Sequence, residues 1–271
     1  MSLDRVQTAM LFLTAMPLWL SGFLLIVPTT ALAMTGPYVV RRYVKLNRLR
    51  TNNEIAGFKF ATVGVLYAVL LAFAVIVVWE KFNEADNIVA KEAGAGATIY
   101  RLSKGINAEQ GTAISKALTD YLNAAITKDW PAMQRGKASP AATESLNNVY
   151  SVVLKYRPAD NSGAIVLAEL LRQVDAIGEA RRARLVTANG IVPDIVWLVL
   201  FGGAAITIGF TFFFGAENLR AQSAMTGALS VLMFAGLLTV VAIDHPFAGT
   251  VRVTPEALSL VLQDFAGGAR P

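Results

Sequence analysis

Four stretches of this chain, residues 9–34, 58–79, 191–214 and 224–243, stay apolar over lengths that match about 30 Å of hydrocarbon when coiled as helices. Inside a bilayer every backbone N–H and C=O must find its partner within the protein, so a spanning segment is either a helix or a strand of a closed barrel. No stretch alternates with period two over a useful length, which leaves helices. Charge tells the same story: 16% of residues are charged, against about 25% in soluble domains. The deficit is confined to the four runs. Between the second and third lies a polar insert, residues 80–190, that holds 14 of the 24 basic and 12 of the 19 acidic residues. The expectation is an all-α integral membrane protein with four transmembrane helices. Residues 1–79 form helices 1 and 2 with a basic loop, 80–190 a helical insert, 191–243 helices 3 and 4, and 244–271 a tail.

The insert carries helical periodicity. Ile114, Leu118, Tyr121, Leu122, Ala125 and Ile126 recur at three- and four-residue intervals, as do Leu167, Leu170, Leu171, Val174 and Ile177. A third helix is expected to continue from the second span through ADNIVAKEAGAGATIYRL, and a fourth across PAATESLNNVYSVVLKY. WPAMQRGKASP and RPADNSG read as loops.

The first apolar segment has two readings. An early basic residue, an apolar stretch and Ala31-Leu32-Ala33 resemble a cleavable signal peptide. The run is long for that role, and Pro17 and Pro28 suggest a kinked, retained span. The loop between spans 1 and 2 holds Arg41, Arg42, Lys45, Arg48, Arg50 and Lys59, which places it in the cytoplasm. The N-terminus and the insert then face outward. Arg181, Arg182 and Arg184, just before the third span, pull the other way.

Cysteine is absent and His245 is the single histidine, so thiolate metal sites, disulfides and His-based triads within one chain are excluded. There is no G-x-S-x-G, no H-E-x-x-H and no Walker A, and GAGA at 94–97 follows no strand. No catalytic residue, cofactor or metal is expected. The net charge of +5 sits where membrane topology places it, which argues against nucleic acid.

The candidate functional residues lie along the second span and at the mouths. Gly57, Ala61, Gly64, Ala68 and Ala72 step by four, three, four and four, which keeps them on one side of a helix. Small residues let membrane helices approach closely; the same side could line a narrow path. Gly202, Ala205 and Gly209 make a second small patch in the third span, read as packing. In the fourth span Thr226 and Ser230 belong to a polar stripe with Ser223 and Gly227. Its hydroxyls are expected to bond back to their own helix, or to line a pore. Glu54, Lys59, Arg181, Arg182, Arg184, Asp244 and His245 fall at the ends of spans, as pore-mouth candidates. No span has a charge at mid-depth, which fits a passive path better than an ion-coupled pump. Glu92 is read as structural, a partner for Arg101 or Lys104.

NNEIAGFKFATVGVLYAVLLAFAVIVVWEKFNEADNIVAKEAGAGATIYRL, followed by DWPAM, EARRARL and DHPFAGTVRVTPEAL, resembles the bestrophin-like domain family of bacterial integral membrane proteins. The resemblance runs from Asn52 to Leu258. It implies kinship with bestrophins, which are oligomeric anion channels gated by calcium. Asp244 and Glu256, twelve residues apart, are too sparse for the bestrophin calcium clasp, so calcium gating does not follow. The expected function is a homo-oligomeric ion channel with anions slightly favoured and span 2 nearest the axis. Its partners would be copies of itself, membrane lipids and inorganic ions. The rival is a non-conducting membrane sensor or scaffold whose helical domain binds a ligand or partner.

Overall fold

A computed structural model describes residues 4–267. It is all-helical, 83% helix, with no strand among the described residues. Among the described residues eleven α-helices follow in order: α1 (Asp4–Ala15), α2 (Leu18–Tyr43), α3 (Leu46–Thr51), α4 (Asn53–Lys104), α5 (Ala108–Ala124), α6 (Trp130–Met133), α7 (Pro140–Lys155), α8 (Asn161–Thr187), α9 (Asp194–Thr211), α10 (Leu219–Ile243) and α11 (Glu256–Gly267). A π-helical turn, Ala125–Asp129, joins α5 to α6. Four of these, α2, α4, α9 and α10, are long and apolar enough to cross a membrane.

The first apolar segment departs from expectation. It is not one kinked helix over 9–34: the chain breaks ahead of Pro17, whose ring cannot continue α1, and restarts as α2. Pro28 and Pro37 both lie inside α2.

The chain gathers into two compact units. The first holds the chain up to Lys81 with Gly190–His245 and Gly249–Val251; the second holds Phe82–Asn189, Pro246–Ala248 and the chain from Arg252. The single helix α4 contributes to both.

In the first unit α10 is the centre. Half of its apolar window is buried, against 17% for that of α4. Its contacts with α2 are made by small and hydroxyl residues, as expected where apolar burial gives no advantage over lipid. A Cβ on Gly227 would come within 2.9 Å of Met34, and one on Gly22 within 3.1 Å of Leu238. Ser223 Oγ donates to Met34 O at 2.6 Å, and Thr30 Oγ1 donates to Ser230 Oγ at 3.4 Å. Helix α10 starts at Asn218, whose side chain accepts from Ala221 N–H.

The second unit is a helical bundle with one apolar core. Leu118, Tyr121 and Leu122 from α5, Val149 and Val153 from α7, and Leu170, Val174 and Ile177 from α8 are all buried against Val89 and Ile99 of α4. Side-chain caps set two of its helix starts: Asn107 accepts from Gln110 N–H and Asp160 from Gly163 N–H. The tail carries a helix. Its helix α11 belongs to this unit, where Phe265 stacks on Tyr100 at 3.8 Å between centroids.

The turn from α4 to α5 depends on a missing side chain. A Cβ at Gly111 would overlap the carbonyl oxygen of Ser103, a backbone atom that cannot swing aside. Gly111→Ala is therefore expected to destabilise the second unit by about 1–3 kcal/mol despite the better helix propensity of alanine. An unchanged thermal midpoint would show that the turn relaxes without loss.

Candidate functional site

Two places concentrate the functional candidates: the spanning part of α4 in the first unit and a polar cluster in the second. Along α4 the large residues hold the helix to its neighbours. Tyr67 is buried where Gly203 of α9 leaves room; a Cβ there would lie 2.7 Å from the Tyr67 ring. Leu71 meets Gly236 of α10 in the same way, again at 2.7 Å. Phe60 stands edge-on to Phe214, 5.6 Å between centroids.

The small side runs along the flank of this contact face and is left open by the chain's own packing. Ala61, Ala68 and Ala72 are exposed, a Cβ on Gly64 would meet nothing within 4 Å, and one on Gly57 would barely reach Phe214 at 4.0 Å. Beyond it the exposed surface of α4 becomes bulky, with Phe58, Val65, Val69 and Phe73. Glu54 is exposed and continues the small side toward the helix start, three residues before Gly57. Lys59 is also exposed but falls on the other side of the helix. The packing glycine of α9 is Gly203: Gly202 and Gly209 have nothing within 4 Å.

The polar stripe of α10 faces its neighbours inside the unit. Thr226 and Ser230 are buried; Thr226 meets Thr211 of α9 at 3.1 Å and Ser230 meets Thr30 of α2. The hydroxyls reach across to other helices rather than back along their own. At the other end of α10, Asp244 is fully buried. Its Oδ1 accepts the N–H groups of Ile191 and Val192 at 3.1 and 2.8 Å, pinning the entry to α9. His245 is buried beside it, Nδ1 3.0 Å from Asp244 Oδ2, a distance at which a protonated ring would form an ion pair.

In the second unit Arg181 and Arg184 do not stand at a surface. Arg184 is fully buried and grips Glu92 through two bonds, Nε to Oε2 at 2.8 Å and Nη2 to Oε1 at 3.0 Å. Its guanidinium also lies 4.6 Å from the centre of the Trp130 ring. Arg181 makes a two-pronged bond to Asp129 at 2.8 and 3.1 Å, and Arg184 Nη2 reaches Asp129 at 3.4 Å. Two carboxylates and two guanidiniums thus balance within one core. Only Arg182 of the three is exposed. Glu92 does not pair with Arg101 or Lys104. Nine residues along a helix is half a turn out of phase, so Arg101 points away from it.

Tyr121 completes the cluster by donating to Glu92 Oε1 at 2.6 Å. Burial, then the adjacent Glu92 charge, hold its phenol well above the usual tyrosine range, so it remains a donor. For Arg184 burial acts downward, but the attraction of the Glu92 and Asp129 carboxylates and its hydrogen bonds to Glu92 outweigh it, and the guanidinium is held above its ordinary value. Asp129 sits at the end of the π-helical turn and also accepts the N–H of Ser139 at 2.9 Å, closing the 134–139 loop. No group of three His, Asp or Glu side chains suited to a metal occurs among the described residues.

Apolar spanning helices joined through small residues, together with a helical bundle around a neutralised ion cluster, define a polytopic all-helical membrane protein. The chain belongs to the Bestrophin-like domain family, which matches residues 27–258. Its fold is similar to that in the crystal structure of a point mutant of a bacterial bestrophin homolog from Klebsiella pneumoniae, with a TM-score of 0.68 at 13% identity. The match covers 89% of this chain and 99% of that one. No curated protein matches in sequence.

Proposed function

We propose that the chain is one subunit of a homo-oligomeric ion channel of the bacterial inner membrane, with the small side of α4 nearest the conduction axis. Family membership supports the class, since bestrophins are a channel family. The observation that carries the placement is that this side of α4 is small, continuous and unused by the chain's own helices. A second copy could approach closely there, and ions could pass without obstruction. A slight preference for anions follows the kinship. Glu54, in line with the small side, works against it, because a carboxylate ring at a mouth attracts cations. Purified protein reconstituted in liposomes should carry chloride or potassium, each tested separately. An oligomer that passes neither ion would overturn the reading in favour of the non-conducting sensor.

Orientation has its own test. The basic loop between α2 and α4 is proposed to be cytoplasmic and residues 80–190 extracytoplasmic. Burial of Arg181 and Arg184 in the folded bundle leaves Arg182 as the exposed member of the opposing cluster. Cysteine at Ala138, an exposed loop position, should react with an impermeant thiol reagent in intact cells, and cysteine at Asn47 should not. Ser139 next door is buried and would label poorly whatever the topology. The reverse pattern would place the bundle in the cytoplasm.

A further inference from the structure

An open groove of about 610 Å³ runs within the first unit between the start of α4 and the end of α9. Asn52, Ile55, Ala56 and Lys59 form one wall, at the three- and four-residue spacing of a single helix face. Ile206, Gly209, Phe210 and Phe213 form the other. Ile55, Ile206 and Phe213 are exposed. A Cβ on Gly209 would meet nothing within 4 Å, so the chain leaves open a space that a side chain could close.

The groove has a wet end and a deep end. Asn53 bonds to Gly215 and Tyr67 packs on Gly203, so α4 and α9 run antiparallel. Asn52 and Phe213 therefore share the end nearer water, and Lys59 lies about 10 Å farther in, seven residues at the helical rise. Lys59 is also one residue inside the apolar run that begins at Phe58. A charge at the margin of the hydrocarbon is costly unless it is paired or reaches the interface. Among the described residues no group pairs with the Lys59 ammonium or hydrogen-bonds to the Asn52 side-chain amide. Helical side chains lean toward the helix N-terminus, so the lysine stem leans along the groove toward its wet end. No carboxylate lines either wall. An apolar chain with a negative head answers both the exposed walls and the unmatched cation. A zwitterionic head would bring a second cation that no lining residue could meet.

We propose that this groove holds an anionic phospholipid, with its phosphate on Lys59 and Asn52 and one acyl chain along Ile55, Ile206, Phe210 and Phe213. The site rests on the membrane-spanning fold. It is independent of whether the chain conducts and of which side the basic loop faces.

The test uses the full chain in nanodiscs of phosphatidylcholine containing a small fraction of a phospholipid with a diazirine in its acyl chain. The probe carries either a phosphatidylglycerol or a phosphatidylcholine head, at equal mole fraction. On illumination the anionic probe should attach to residues 206–213 about fivefold more than the zwitterionic one, the preference that one cation gives at a charged interface. Lys59→Gln should bring the two probes to parity, and Lys59→Arg should keep the preference. Gly209→Leu places bulk where a Cβ meets no atom of the chain. It should abolish attachment of both probes there at an unchanged thermal midpoint. Equal attachment by both heads in the parent chain, or attachment confined to other helices, would overturn the proposal. So would a preference that survives Lys59→Gln, which would belong to the basic loop at large, or unchanged attachment to the Gly209→Leu protein. A covalent dimer formed through a photoreactive phenylalanine analogue in place of Phe213 would also overturn it, by showing that a second copy covers the groove.

Discussion

Arg184→Met is expected to destabilise the second unit by about 3–5 kcal/mol, the usual result of leaving one partner of a buried ion pair without the other. Glu92 would keep only the hydroxyl of Tyr121 in a fully buried position, and Asp129 would lose one of its two guanidinium neighbours. The 134–139 loop is held through Asp129 and Ser139, so it should loosen as well. Trypsin cleavage at the exposed Arg135 and Lys137 gives a direct readout and should accelerate well before the spanning helices are cut. The pair Arg184→Met with Glu92→Leu should regain much of the loss, because it removes the uncompensated charge along with its partner. A single variant as resistant as the parent chain would show that the cluster contributes nothing to stability.

The architecture was legible because a bilayer leaves so few options. Long apolar runs without alternation must be helices, and the bundle repeats at helical spacing because each helix buries one stripe. What escaped was local or long-range. The break at Pro17 sits within an unbroken apolar run, where hydropathy gives no sign of a boundary. Helix α11 begins inside TVRVTPEAL, at Glu256, and its apolar positions acquire meaning only beside Tyr100 and the rest of the bundle core.

The candidate site was legible in one part only. The small side of α4 follows from spacing alone; that the chain's own helices leave it open is seen only in the structure. Arg181 and Arg184 resemble mouth charges when read along the chain, because their partners are 52 and 92 residues away. A basic cluster flanked by helix-forming residues carries no mark of whether water or a carboxylate will meet it. The same holds for Thr226 and Ser230, whose hydroxyls could have bonded back to α10 but instead reach α9 and α2. One sequence signal was available: Asp129 follows Leu122 by seven residues and Ala125 by four, the spacing of the buried stripe, whereas Lys128 beside it falls off that stripe and is exposed.

Gly64→Leu is expected to reduce or abolish ion flux through the reconstituted protein. Gly64 lies mid-way along the small side, between Ala61 and Ala68, and a Cβ there meets no atom of the same chain within 4 Å. Added bulk thus leaves the subunit's own fold undisturbed, and any effect must arise where copies of α4 meet or where ions pass. Flux and assembly are read separately. If the small side lines the path, flux falls while the oligomer keeps its size. If it serves only as packing, the oligomer loosens and the parent protein conducts nothing. Leu70→Ala is the control: Leu70 lies on the far side of the helix and is 47% exposed, so its truncation should leave flux largely intact. Glu54→Gln extends the test to selectivity. If the small side lines the path, Glu54, exposed near the start of α4 and in line with that side, faces it too, and removal of its charge should shift permeability toward chloride. A Gly64→Leu protein that assembles and conducts like its parent would remove α4's small side from the pathway and turn attention to the bulky face of Phe58, Val65, Val69 and Phe73.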